Sequence, residues 1–145
     1  MKKIKYFIPS FLLMIIIFMF SSQTGEESAG LSLKITLFIQ KIFPIFTSQE
    51  TLHFLIRKAA HMSEYALLTF TFLYGYSHCH ISYKKICIFS ILSTFLYACT
   101  DETHQLIVGG RAGQFTDVLI DTSGGFIALL IFFIFILYKK KHSLE

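Results

Sequence analysis

The longest apolar stretch of the chain lies near its C-terminal end and restricts the folds that the sequence can adopt. Residues 117–138 carry no charge after their first residue except Asp121, and Lys139–Lys141 follow directly. A helix of this length is about 33 Å long, which matches the ~30 Å hydrocarbon core of a bilayer. We therefore expect a membrane-spanning helix, in which Gly124 and Ala128 allow another helix to approach closely.

Three further apolar segments of similar length predict a bundle of helices. They cover residues 6–22, 57–77 and 84–105. The chain is 54% hydrophobic and contains 17 phenylalanines, a composition for which lipid is the main solvent. The predicted fold class is all-α, an integral membrane bundle of about four transmembrane helices. Residues 1–143 are expected to form one domain, and residues 144–145 to be a remnant of an expression vector.

The first apolar segment also has the layout of a secretory signal peptide, because Lys2, Lys3 and Lys5 precede it. Its exit, residues 19–23, lacks the small-x-small pattern at which signal peptides are cleaved. We therefore expect a retained helix.

Residues 31–46 are apolar but carry Lys34 and Lys41, which share one helical stripe. Two lysines in the middle of a bilayer would cost about 5–7 kcal/mol. We predict an interfacial helix that lies on the outer surface of the bilayer. Pro44 would kink or end it, and residues 24–30 would form a polar loop before it.

Lysine and arginine are distributed unevenly between the two ends of the predicted spans, which favours one orientation. The N-terminal side holds Lys2, Lys3, Lys5, Lys84, Lys85, Lys139, Lys140 and Lys141, and the other side holds Lys34, Lys41, Arg57, Lys58 and Arg111. We predict a multi-pass protein of the cytoplasmic membrane with both termini in the cytoplasm. The net charge of +4 is then an orientation signal, and no nucleic-acid partner is expected.

Arg57, His61 and Glu64 are spaced by four and then three residues, so they line one face of the second span. Ionisable side chains inside a bilayer are costly and commonly functional. A functional site is therefore our leading interpretation. The structural alternative is a salt-bridge stripe that allows the helix to insert.

Further polar residues come from the same end of the third span, Asp101 and Gln105, and of the fourth span, Asp117 and Asp121. Between these spans lies a glycine-rich segment, residues 109–113, in which Arg111 could bind an anion. We predict four proton-carrying catalytic residues, His61, Glu64, Asp101 and Asp121. The predicted substrate-binding residues are Arg57, Arg111, Gln105, Gln23 and Asp117. Asp117 also suits the first turn of a helix, where a negative charge favours the dipole.

Acidic residues outnumber basic ones at this end. Three basic residues and five acidic residues give this end a net charge of −2. The basic residues are Arg57, Lys58 and Arg111, and the acidic ones are Glu64, Asp101, Glu102, Asp117 and Asp121. Such a site is expected to hold a neutral carboxylic acid, a protonated His61 or a bound cation. No cofactor motif is recognisable, and a divalent metal held by Glu64, Asp101 and Asp121 is an open alternative.

In order and spacing, these motifs resemble the VanZ-like family over residues 15–135. The resemblance implies a small helical membrane protein linked to low-level resistance to teicoplanin, which acts outside the cytoplasmic membrane. One departure is Asp121, where family members often carry Asn. The motifs are Ser21-Ser22-Gln23, Arg57-Lys58-x-x-His61-x-x-Glu64-Tyr65, Asp101-Glu102-x-x-Gln105, Gly110-Arg111 and Asp117-x-x-x-Asp121-x-x-Gly124.

The sequence thus predicts an outward-facing polar site that modifies or binds an envelope lipid or a lipid-linked cell-wall precursor. One alternative is an acid-base or hydrolytic enzyme, and a second is a binding protein without turnover. A third is an accessory or scaffold protein whose charges only hold the bundle together.

Overall fold

The computed structural model describes residues 3–43, 48–111 and 113–142, and within these ranges the chain is helical without any strand. A short 3-10 turn, Ile4–Phe7, leads into the first helix. The five helices are α1 (Ile8–Ser21), α2 (Gly25–Ile42), α3 (Gln49–Ser77), α4 (Tyr83–Gln105) and α5 (Phe115–His142). The predicted all-α class is confirmed.

Helix α3 is the centre of the fold, because it packs against each of the other four helices and most extensively against α5. The two helices approach closely at Gly124, where a Cβ atom would lie 2.1 Å from the carbonyl oxygen of Met62. Ala128, one turn further along α5, is fully buried. The predicted close packing at this pair of small residues is confirmed.

Two ends of the bundle can be distinguished. At one end, Lys3 Nζ donates to the carbonyl oxygen of Cys79 at 3.2 Å, and the ring of Tyr6 stacks on His78 with 3.9 Å between centroids. The chain before α1 therefore lies beside the α3–α4 connection, and α1 runs antiparallel to α3. We call this the lysine end, since Lys3, Lys5, Lys84 and Lys85 belong to it.

Helix α2 begins at Gly25, so the predicted polar loop over residues 24–30 and the predicted helix start near residue 31 are wrong. The reason is a capping box. Glu27 N donates to Thr24 Oγ1 at 3.3 Å, and Thr24 N donates to Glu27 Oε2 at 2.9 Å. This pair satisfies two backbone donors that would otherwise be unpaired at the start of a helix.

Helix α3 begins at Gln49, eight residues before the predicted start at Arg57. The hydroxyl of Ser48 caps it by accepting from Thr51 N at 3.4 Å. Helix α2 ends at Ile42. The predictions for Lys2, Pro44 and residues 144–145 fall outside the described residues.

Among the residues that the structure describes, two helical segments, Ile4–Ser21 and Phe115–His142, are long and apolar enough to cross a membrane. Much of their large apolar surface is exposed, including Phe11 and Met19 on α1 and Phe126 and Leu130 on α5. Surface of this kind is suited to contact with lipid. Helices α3 and α4 carry more charge, and the charges near the end of α4 are turned inward.

Candidate functional site

A cavity of about 130 Å³ lies at the end of the bundle opposite the lysine end. Its wall draws on α1, α2, α3, α4 and the α4–α5 connection, and it mixes charged with apolar side chains. The lining residues are Ile17, Phe20, Ser21, Gln23, Ser28, Leu31, Ser32, Ile35, Ile56, Arg57, Ala60, His61, Glu64, Asp101 and Arg111.

Six of the nine sequence-predicted site residues line this cavity. Three of them descend one face of α3, and the others come from separate parts of the chain. The six are Gln23, Arg57, His61, Glu64, Asp101 and Arg111. The remaining three, Gln105, Asp117 and Asp121, do not line it.

Asp121 lies behind the cavity wall, against His61. Its Oδ1 atom is 3.4 Å from His61 Nδ1, which forms an ion pair when the histidine is protonated. Asp121 has no exposed surface, and neither of its carboxylate oxygens has a hydrogen-bond partner among the described residues. Helices α3 and α5 thus place a buried acid behind a histidine that faces the cavity.

Asp101 is held from the side by Gln105. Gln105 Nε2 donates to Asp101 Oδ2 at 3.1 Å, and both residues are buried near the end of α4. The other oxygen, Asp101 Oδ1, is buried without a hydrogen-bond partner in the part of the chain that the structure describes. Gln105 therefore acts on the cavity by orienting Asp101 rather than by lining the wall.

Arg111 closes the cavity where α1 ends. Its Nη2 atom donates to the carbonyl oxygen of Phe20 at 3.0 Å, one of the carbonyls that a helix end leaves unpaired. The turn before it depends on Gly110, whose φ of +74° strongly favours glycine. Burial lowers the pKa of the Arg111 guanidinium, and the positive charge of Arg57 acts in the same direction.

Arg57 and Glu64 differ from the other charged residues of the wall. Both line the cavity, and neither makes a hydrogen bond or an ion pair within the described ranges. A cation and an anion therefore face the cavity without a hydrogen-bond or ion-pair partner in the part of the chain that the structure describes. Arg57 is close enough to Arg111 for the two positive charges to interact.

Asp117 lies apart from the cavity and is paired with a lysine. Lys58 Nζ donates to Asp117 Oδ1 at 2.5 Å, and both side chains are largely buried. This pair links α3 to the first turn of α5. Its geometry gives Asp117 a structural contact and leaves it without access to the cavity.

Helix α2 supplies part of the wall that the sequence analysis did not predict. Ser28, Leu31, Ser32 and Ile35 line the cavity, and Ser32 Oγ lies 2.7 Å from His53 Nε2 on α3. The spacing of Thr24 and Glu27 could have predicted the helix start, but its position against α3 depends on tertiary contacts.

The capping box also perturbs an exposed carboxyl group. Hydrogen bonds from the backbone N–H of Thr24 and then from its hydroxyl hold the pKa of Glu27 below its usual range. The start of α2 is therefore fixed by a charged acceptor. The loop before α5 is joined to it, since Gly25 N donates to the carbonyl oxygen of Gly109 at 3.2 Å.

No group of three His, Cys, Asp or Glu side chains is arranged to hold a metal ion within residues 3–43, 48–111 and 113–142. The alternative of a divalent metal held by Glu64, Asp101 and Asp121 is therefore not supported by their positions.

A sequence profile described as VanZ/LLP1 matches residues 6–136. No curated protein sequence and no solved structure matches the chain. The matched range begins in the turn before α1, ends within α5, and contains every residue that lines the cavity. Because the match covers nearly the whole chain, it confirms the resemblance seen in the motifs, and the chain belongs to the VanZ/LLP1 family.

Proposed function

We propose that this protein binds the phosphate-bearing head group of an envelope lipid or lipid-linked cell-wall precursor in the cavity. The observation that carries the proposal is that Arg57 faces the cavity, close to Arg111, and makes no hydrogen bond or ion pair among the described residues. Guanidinium groups match phosphate oxygens through two parallel hydrogen bonds. A pair of them in a half-enclosed cavity suits an anionic head group.

The apolar part of the wall suits the rest of a lipid. Ile17 lies deep in the wall, whereas Phe20, Leu31 and Ile35 are partly exposed at its rim. An apolar rim beside a polar interior allows the acyl chain to stay in the bilayer while the head group enters. Hydrophobic walls with a few placed polar groups are typical of small-molecule sites.

The proposed arrangement in the membrane is a bundle of four spans with both termini in the cytoplasm. In support, the lysine end and the cavity lie at opposite ends of the bundle, and lysine-rich ends favour the cytoplasm. The cavity then faces outward. Teicoplanin acts on that side, so we extend the proposal to a role in low-level resistance to this drug.

The scaffold alternative accounts for some charges but not for others. Lys58 with Asp117, and Arg111 with the Phe20 carbonyl, join separate elements and support the bundle. Arg57 and Glu64 make no hydrogen bond or ion pair among the described residues, so they do not connect helices. Half-buried charges that add no cohesion are better explained by a ligand.

A second candidate function is acid-base turnover of the bound lipid. It is favoured by the contact between His61 and Asp121, since a carboxylate behind an imidazole orients it and stabilises its protonated form. Mass spectrometry of the lipids after incubation with the purified protein would reveal turnover. A His61→Ala variant should form no product. If the wild-type protein leaves the lipids unchanged, only the binding function remains.

The binding proposal is tested by native mass spectrometry of the full chain with an anionic phospholipid, phosphatidylglycerol. We expect Arg57→Gln to weaken retention at least about tenfold, because a charge-assisted hydrogen bond is lost. Lys34→Gln is the matched control, since it removes an exposed lysine of α2 that does not line the cavity. Equal retention by both variants would show that the cavity is not the lipid site.

A further inference from the structure

We infer that the head group bound in the cavity is compact and ends in a primary ammonium, so that the ligand is a zwitterionic phosphodiester lipid of the ethanolamine type. The inference rests on the proposed function and narrows it. It uses the half of the cavity that phosphate does not explain, namely Glu64 and Asp101.

The charges of the wall are balanced. Arg57 and Arg111 are positive, Glu64 and Asp101 are negative, and His61 has its own acid in Asp121. A phosphate alone would match the two guanidiniums and would leave Glu64, which makes no hydrogen bond or ion pair among the described residues, without a donor. A zwitterion satisfies both halves, with phosphate at the arginines and ammonium at the acids.

Glu64 lacks a hydrogen-bond donor, because this half-buried carboxylate lines the cavity and makes no hydrogen bond or ion pair among the described residues. Asp101 is better supplied, since its Oδ2 accepts from Gln105 and the buried hydroxyl of Tyr65 can donate to it. Ser21 Oγ, also in the wall, is buried and unpaired among the described residues. Buried polar atoms are nearly always hydrogen-bonded, so the ligand should bring N–H or O–H donors to this part of the cavity.

An ammonium fits these requirements better than the other common head groups. A quaternary choline carries the charge but has no N–H to donate to Glu64. A glycerol head group donates through hydroxyls but carries no positive charge to face Glu64 and Asp101. A primary ammonium supplies three donors and the charge together.

The volume of the cavity limits the size of the head group. At about 130 Å³ it is slightly smaller than the roughly 150 Å³ cavity that takes up one benzene molecule. A phosphoethanolamine group is of this order, and its acyl chains leave through the apolar rim. A disaccharide, such as those of lipid-linked cell-wall precursors, exceeds this volume and would have to extend out of the cavity.

The test compares three phospholipids with identical acyl chains, phosphatidylethanolamine, phosphatidylcholine and phosphatidylglycerol, competing for the full chain in native mass spectrometry. We expect phosphatidylethanolamine to be retained at least about tenfold over phosphatidylcholine. Soluble glycerophosphoethanolamine should compete weakly, because it lacks acyl chains. If it competes as well as the lipid, the ligand is a free phosphodiester and the lipid assignment is wrong.

Variants then connect the preference to the carboxylates. Glu64→Gln removes the carboxylate that faces the ammonium and should remove most of the preference for ethanolamine over choline. Asp101→Asn keeps an oxygen that can accept from Gln105 and provides a second measurement if Glu64→Gln does not fold. Glu26→Gln, an exposed acid of α2 outside the cavity wall, should leave the preference unchanged.

The outcomes separate this inference from the proposed function. The ammonium assignment would be overturned if the three lipids were retained equally, or if phosphatidylglycerol were preferred. If that retention still depended on Arg57, phosphate binding would remain intact. A preference that survives both Asp101→Asn and Glu64→Gln would also overturn it. If none of the lipids is retained, the proposed function fails as well.

Discussion

The Nδ1 atom of His61 lies 3.4 Å from Oδ1 of Asp121, across the contact between α3 and α5. The carboxylate is fully buried and has this imidazole as its ion-pair partner among the described residues. The helices therefore meet at a polar contact next to the cavity.

We predict that Asp121→Asn folds with nearly unchanged stability, because the amide has the same shape and the cost of burying the carboxylate offsets much of its attraction to His61. Asp121→Ala should lower the free energy of unfolding by about 1–3 kcal/mol, since it leaves a space where a fully buried side chain packed against His61. Thermal unfolding in detergent measures both. If Asn destabilises as much as Ala, the negative charge itself holds the contact.

Arg57 and Arg111 should differ in what they contribute to folding. Arg111→Ala removes the donor to the Phe20 carbonyl and should lower the free energy of unfolding by about 1–2 kcal/mol, reduced by partial solvent exposure. Arg57→Ala removes no hydrogen bond within the described residues and should change it by less than about 0.5 kcal/mol. The two thermal unfolding curves decide this. A larger loss with Arg57→Ala would indicate that Arg57 is part of the scaffold.

Local spacing predicted the face of α3 that carries the site, because residues 57, 61 and 64 are three or four positions apart on one helix. It could not predict that Lys58 pairs with Asp117, 59 positions away, or that Gln105 orients Asp101. Those contacts follow from how the helices pack. The role of α2 was missed because its amphipathic pattern fits a bilayer surface as well as it fits α3.

The close approach of α3 and α5 gives a prediction with an internal control. Gly124→Ala places a Cβ atom about 2 Å from the Met62 carbonyl oxygen and should cost about 1–3 kcal/mol, because the two backbones must separate. Gly30→Ala in α2 meets nothing within 4 Å and should stabilise by about 0.5–1 kcal/mol. Thermal unfolding of both variants tests this, and similar values would show that α3 and α5 do not pack as described.

The capping box at the start of α2 should make this helix sensitive to acid. Because the pKa of Glu27 is lowered in the folded chain, its contribution is complete above the unfolded-state pKa. It is lost as the pH falls from the unfolded-state pKa through the lowered value. The protection factors of the α2 amides, which correct for the slower intrinsic exchange in acid, should therefore fall at low pH.

A variant isolates the contribution of the cap. Thr24→Ala should accelerate exchange at all pH values, by about fivefold for a loss of roughly 1 kcal/mol. Glu27→Gln should reduce the acid dependence, and Glu26→Gln, an exposed neighbour outside the box, should retain it. If the protection of the α2 amides depends on pH as strongly in Glu27→Gln as in the wild type, another group controls the helix.

The orientation of the bundle can be tested at its two ends with positions of similar exposure. Ile107 lies in the connection after α4, near the cavity, and Tyr83 begins α4 at the lysine end, and both are well exposed. Cysteine would be introduced at each in a chain whose native Cys79, Cys87 and Cys99 are replaced by serine. The label is a membrane-impermeant maleimide applied to intact cells.

Because lysine-rich ends favour the cytoplasm, we expect Ile107→Cys to react in intact cells and Tyr83→Cys to react only after the membrane is opened. Full labelling of both after permeabilisation serves as the control for reactivity. The reverse pattern would turn the cavity toward the cytoplasm and remove the connection to an extracellular drug. Labelling of both in intact cells would place the two ends of α4 on one side, so that α4 could not span the membrane.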